Sequence, residues 1–108
     1  ALAVVLPEVL RFYADEDGLR DRELALVGVA LKAASATEEP ATAAGAGIGE
    51  LRQFLASVGQ RHRLGALGFD AAGLDVVAQD AIDDVAIRNS PRLPTLDQAR
   101  EILASVAE

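Results

Sequence analysis

Thr95-Leu96-Asp97-Gln98-Ala99-Arg100-Glu101-Ile102-Leu103-Ala104-Ser105-Val106, directly after Pro94, holds a helix start and an apolar stripe in one run. Thr95 and Gln98 stand at the spacing of a capping box. The Thr hydroxyl can accept from the Gln98 amide while the Gln98 side chain accepts from the Thr95 amide. Leu96, Ala99, Ile102, Leu103 and Val106 then recur at steps of three and four, which predicts one buried helical face.

The same period runs upstream, and no strand-like alternation interrupts it. Asp70 reads as an N-cap, a short carboxylate ahead of Ala71-Ala72 and a face made by Leu74, Val77, Ala78 and Ala81. Asp84-Val85-Ala86-Ile87 extends that helix until Asn89-Ser90-Pro91 breaks it. A further helix starts at Ile48, with Leu51, Leu55 and Val58 inward and Gly59 as its stop. Arg61-His62-Arg63 then leads into Leu64, Leu67 and Phe69. Residues 35–47 are small and contain Pro40, so they read as a connection. Residues 21–34 predict a helix facing inward through Leu24, Val27 and Leu31. Residues 2–13 predict another, with Leu2, Val5, Leu6, Val9, Leu10 and Tyr13 on one side and a turn at Asp15-Glu16-Asp17-Gly18 after it. The expected fold class is all-α, a single multi-helix domain over residues 1–108.

Composition fits that class and narrows the functions. The chain has 108 residues, of which 51% are hydrophobic, so it has the material for a packed core. Only 4% are aromatic, which leaves that core to Leu, Val, Ile and Ala. A net charge of −7 argues against a general nucleic-acid surface or an anionic membrane partner. The absence of Cys excludes disulfides, thiolate metal sites and Cys nucleophiles. Pro7 and Glu8 cut the first apolar run too short for a membrane span, and it has no basic region before it. Cytoplasmic residence is therefore expected. The chain opens at Ala1, which fits either removal of an initiator Met or the loss of upstream residues.

No motif builds an active site. Gly45-Ala46-Gly47-Ile48-Gly49 has G-x-G-x-G spacing, without a preceding strand or a following Lys-Ser or Lys-Thr, so it reads as a flexible lead-in to a helix. Placing Gly18 at the invariant glycine of a calcium loop puts Tyr13 and Leu24 at ligand positions, where neither can serve. His62 is the only histidine, so no His-cluster metal site forms within the chain. Asp80, Asp83 and Asp84 lie at helical steps and read as a solvated edge. The serines lack a nucleophile elbow. No catalytic, cofactor-binding or metal-ligating residue is assigned.

Three stretches together carry a resemblance. Leu2-Ala3-Val4-Val5-Leu6-Pro7-Glu8-Val9-Leu10-Arg11-Phe12 resembles the Leu-Pro helix of iron-containing (group III) alcohol dehydrogenases. Leu64-Gly65-Ala66-Leu67-Gly68-Phe69, followed by Leu74 and Ala78, is similar to a later stretch of that family. The segment from Asp83 to Arg92 resembles the one ending in its N-P-R or N-x-P-R signature. All three occur in family order. Tyr13 stands where the family often has Asn, and Ser90 lengthens the usual Asn-Pro-Arg spacing. Maleylacetate reductases are close relatives, and the resemblance does not separate the two groups.

The resemblance implies the helical C-terminal half of the dehydroquinate synthase-like, iron-type alcohol dehydrogenase fold. It implies a missing N-terminal domain that binds NAD(P), a small-molecule substrate in a cleft between the domains, and homo-oligomer formation. In metal-dependent members an Asp and three His hold iron or zinc, and none of these maps onto this chain. Ala86, Ile87 and Arg88 match a segment near the substrate pocket and would supply wall contacts; the competing role is that Pro91 and Arg92 only fix the turn before the last helix. The expected function is a cleft wall in an oxidoreductase acting on a carbonyl/alcohol pair, inactive alone. The alternative is a free-standing acidic helical interaction domain without catalysis.

Overall fold

The computed structural model describes residues 2–14, 21–59 and 63–107, the side chain of Leu2 excepted. Among them every regular element is helical and no strand occurs, as the period requires. The α-helices are α1 (Leu2–Ala14), α2 (Asp21–Ala30), α3 (Pro40–Ser57), α4 (Ala71–Asp83) and α5 (Leu96–Ser105). Two short 3-10 turns, Gly65–Leu67 and Val85–Asn89, flank α4. The chain divides into two compact units, residues 1–61 and residues 62–108. The expected turn at Asp15-Glu16-Asp17-Gly18, together with Arg61 and His62, lies outside the described residues.

In the first unit, α2 and α3 form the most extensive helix pair, and small residues make it. Gly28, Ala43, Ala44, Gly47 and Ile48 are all buried. A Cβ on Gly28 would lie 2.2 Å from the Ala43 carbonyl oxygen, and one on Gly47 would lie 2.6 Å from the Gly28 nitrogen. The two backbones therefore touch, and no larger side chain fits between them.

Two helix boundaries differ from those expected. Helix α3 begins at Pro40, so residues 40–47 are helix where a connection was expected. Proline suits the first helical position because its missing N–H would have no intrahelical partner there, and Ala41, Ala43, Ala44 and Ala46 propagate the helix well. Gly45, Gly47 and Gly49 thus belong to a helix interior; they are not a flexible lead-in.

Helix α2 stops at Ala30, short of the expected Ala34, because the chain reverses through Lys32 at φ 58°. The Lys32 amide donates to the Val29 carbonyl at 3.0 Å and the Ala33 amide to the Gly28 carbonyl at 2.9 Å, a Schellman cap. A lysine in the left-handed region clashes with its own carbonyl. Lys32→Gly is expected to raise stability by about 0.5–1 kcal/mol, read as a higher urea midpoint. An unchanged or lower midpoint would contradict the strain.

Helix α1 runs through Pro7, which is buried. Phe12 is the most buried of its large side chains, whereas Val5, Leu6, Val9, Leu10 and Tyr13 of the expected stripe are half-buried. Glu8 accepts from the Arg52 guanidinium and so ties α1 to α3. Leu24 and Ile48 point inward as expected, but Leu31 and Val58 are exposed, Leu31 because α2 has already ended.

In the second unit, α4 packs on α5 around Ala78, Ala99, Leu64 and Val106. The two caps expected from sequence both form. Asp70 Oδ1 accepts from the Gly73 amide at 2.8 Å. Thr95 Oγ1 accepts from the Gln98 amide at 3.2 Å, while Gln98 Oε1 accepts from the Thr95 amide at 2.9 Å. The end of α5 is closed by the segment before α4. Arg63 Nη1 donates to the Ser105 carbonyl at 3.0 Å, and the Leu64 and Gly65 amides donate to the Val106 and Ala107 carbonyls at 2.8 Å. Carbonyls that a helix end would leave bare are thereby satisfied, with a cation at the negative pole. Gly65 is required for this approach, since a Cβ there would sit 2.6 Å from the Ala107 oxygen. Val77 and Ala81 of the expected α4 face are exposed; only Ala78 is fully covered and Leu74 partly so.

Candidate functional site

Ala86, Ile87 and Arg88 stand on the 3-10 turn Val85–Asn89 of the second unit. Helix α4 does not continue into them as expected. Asp84 adopts an extended backbone and its Oδ1 accepts from the Ala86 amide at 2.7 Å, so it caps the next turn and ends the previous helix. The Ile87 amide donates to the Asp84 carbonyl at 3.2 Å and the Ser90 amide to the Ile87 carbonyl at 2.9 Å. The turn holds Ala86 and Arg88 exposed and Ile87 half-buried, with Val85 74% exposed beside them. Val85 and Ala86 thus place apolar surface in solvent at this turn.

A separate open cleft of about 590 Å³ lies in the same unit, lined among others by Phe69, Asp70, Leu74, Asp75, Arg100 and Ala104. Arg100 Nε donates to Asp75 Oδ1 at 2.5 Å and Nη1 to Asp97 Oδ1 at 3.1 Å. These hydrogen bonds, Asp75 first and Asp97 second, hold the guanidinium pKa above its already high ordinary value. The cation is thus committed to its neighbours, and Phe69, Leu74 and Ala104 give the cleft its apolar floor. Ala86, Ile87 and Arg88 do not line it. The Asp97–Arg100 pair was readable from its helical spacing; Asp75 was not, because it joins from another helix.

The first unit has a smaller cleft of about 300 Å³, lined among others by Arg11, Asp21, Gly45, Ile48 and Arg52. Glu8 does not line it but is bound by Arg52 and lies 3.9 Å from Arg11, two residues that do. Gly45 contributes only open space to it, since nothing lies within 4 Å of where its Cβ would be.

No metal centre fits these side chains. Among the described residues no three His, Cys, Asp or Glu converge as ligands. Asp80, Asp83 and Asp84 are exposed at the end of α4, where Asp83 accepts from Gln79 Nε2 at 3.1 Å and Asp84 serves as the cap already described. His62 and the acidic turn residues lie outside the described residues. An Asp with three His, the set the resemblance implies, cannot be assembled from a chain with one histidine. Among the described residues no helix is long and apolar enough to cross a membrane.

Helical elements, caps and an exposed turn are common to many folds, and the comparison with known families decides between them. The family model described as "Fe-containing alcohol dehydrogenase family, C-terminal" matches residues 1–107. The chain belongs to this family. No curated protein and no solved structure matches it. Within this Fe-containing alcohol dehydrogenase C-terminal chain, the three resembling stretches fall on α1, on the segment that closes α5, and on the 3-10 turn after α4. The first two lie in packed or hydrogen-bonded elements, and the third carries the exposed residues Val85, Ala86 and Arg88 beside the half-buried Ile87.

Proposed function

We propose that the chain is the helical C-terminal part of a two-domain, NAD(P)-dependent oxidoreductase, of alcohol dehydrogenase or maleylacetate reductase-like type. Its role is to wall the catalytic cleft and pack against the nucleotide-binding domain. The observation that carries this reading is the family match over residues 1–107 in a chain with no Cys and one His. Family membership calls for redox chemistry, and the donor set calls for other polypeptide to supply it.

The parent would act on a carbonyl/alcohol pair, with NAD(P) and, where present, a metal held by residues outside this chain supplying the redox and Lewis-acid chemistry. This chain's contribution is the exposed turn bearing Ala86, Ile87 and Arg88, which would exclude water from one side of the cleft. The reading includes an N-terminal nucleotide-binding domain as partner, a small-molecule substrate, homo-oligomer formation and cytoplasmic residence. The purified chain alone is expected to leave NADH and NADPH unoxidised in the presence of aldehydes, ketones or maleylacetate. Turnover by the lone chain, scaling with its concentration, would overturn the proposal. The intact mass of the native protein tests the same reading independently, since the parent must be heavier than 11.2 kDa.

A further inference from the structure

We draw no further inference here: the strongest candidate, the open cleft of the second unit floored by Phe69, Leu74 and Ala104, carries nothing because its one arginine is already held by Asp75 and Asp97 and nothing in the structure shows what covers its apolar floor.

Discussion

Phe12→Ala is expected to destabilise the first unit by about 3–5 kcal/mol, the range for removing a buried ring and leaving its space unfilled. Phe12 is 9% exposed, whereas Phe54 and Phe69 are 55% and 43% exposed, so it is the one phenylalanine working as core. Its ring lies 5.9 Å from that of Tyr13, centroid to centroid, on a helix that packs against α3. A unit of this size buries too little surface to absorb such a loss easily, because total stability for a domain is only about 5–15 kcal/mol. Urea denaturation followed by far-UV circular dichroism reads the effect, with Phe54→Ala as a control expected to cost less than about 1 kcal/mol. Equal losses for the two variants would show that α1 is not seated on Phe12.

The second large effect is a sign difference among glycines of one helix pair. Gly28→Ala is expected to cost about 3 kcal/mol, at the upper end for overpacking, because the new methyl meets a carbonyl oxygen and not a yielding side chain. The obstructing atom is the Ala43 oxygen at 2.2 Å. Gly47→Ala meets the backbone of Gly28 at 2.6 Å and belongs with it. Gly45→Ala and Gly49→Ala meet nothing within 4 Å, so helix propensity alone acts and each is expected to gain up to about 1 kcal/mol. Thermal midpoints of the four variants give the comparison. Uniform losses at Gly45, Gly47 and Gly49 would point to a shared role for the triplet, such as a ligand loop, and against the packing described.

These glycines also show where sequence reading failed. A glycine triplet after a proline is locally a helix breaker, and only the partner helix reveals that Gly28 and Gly47 sit where two backbones touch. Pro40 misled for a related reason, since it ends one helix or begins another with the same side chain. The capping box at Thr95 and Gln98 and the cap at Asp70 were legible because each is complete within four residues. Apolar periodicity located the stripes but not their width. Val58, Val77 and Ala81 of the expected stripes are exposed, and the buried Phe12 lies just outside the stripe expected for α1. At the site, the Asp97–Arg100 half of the cluster was local, while Asp75 came from another helix. Ala86, Ile87 and Arg88 carry no chemistry that spacing could detect; only resemblance pointed to them.

Under the proposed function this helical chain would shape a cleft, and other polypeptide would grip the metal and the dinucleotide. Equilibrium dialysis of the isolated chain against iron or zinc, and separately against NADH and NADPH, tests that division most directly. Only trace, non-stoichiometric binding is predicted for each. One equivalent of any of them retained by the folded chain would contradict it.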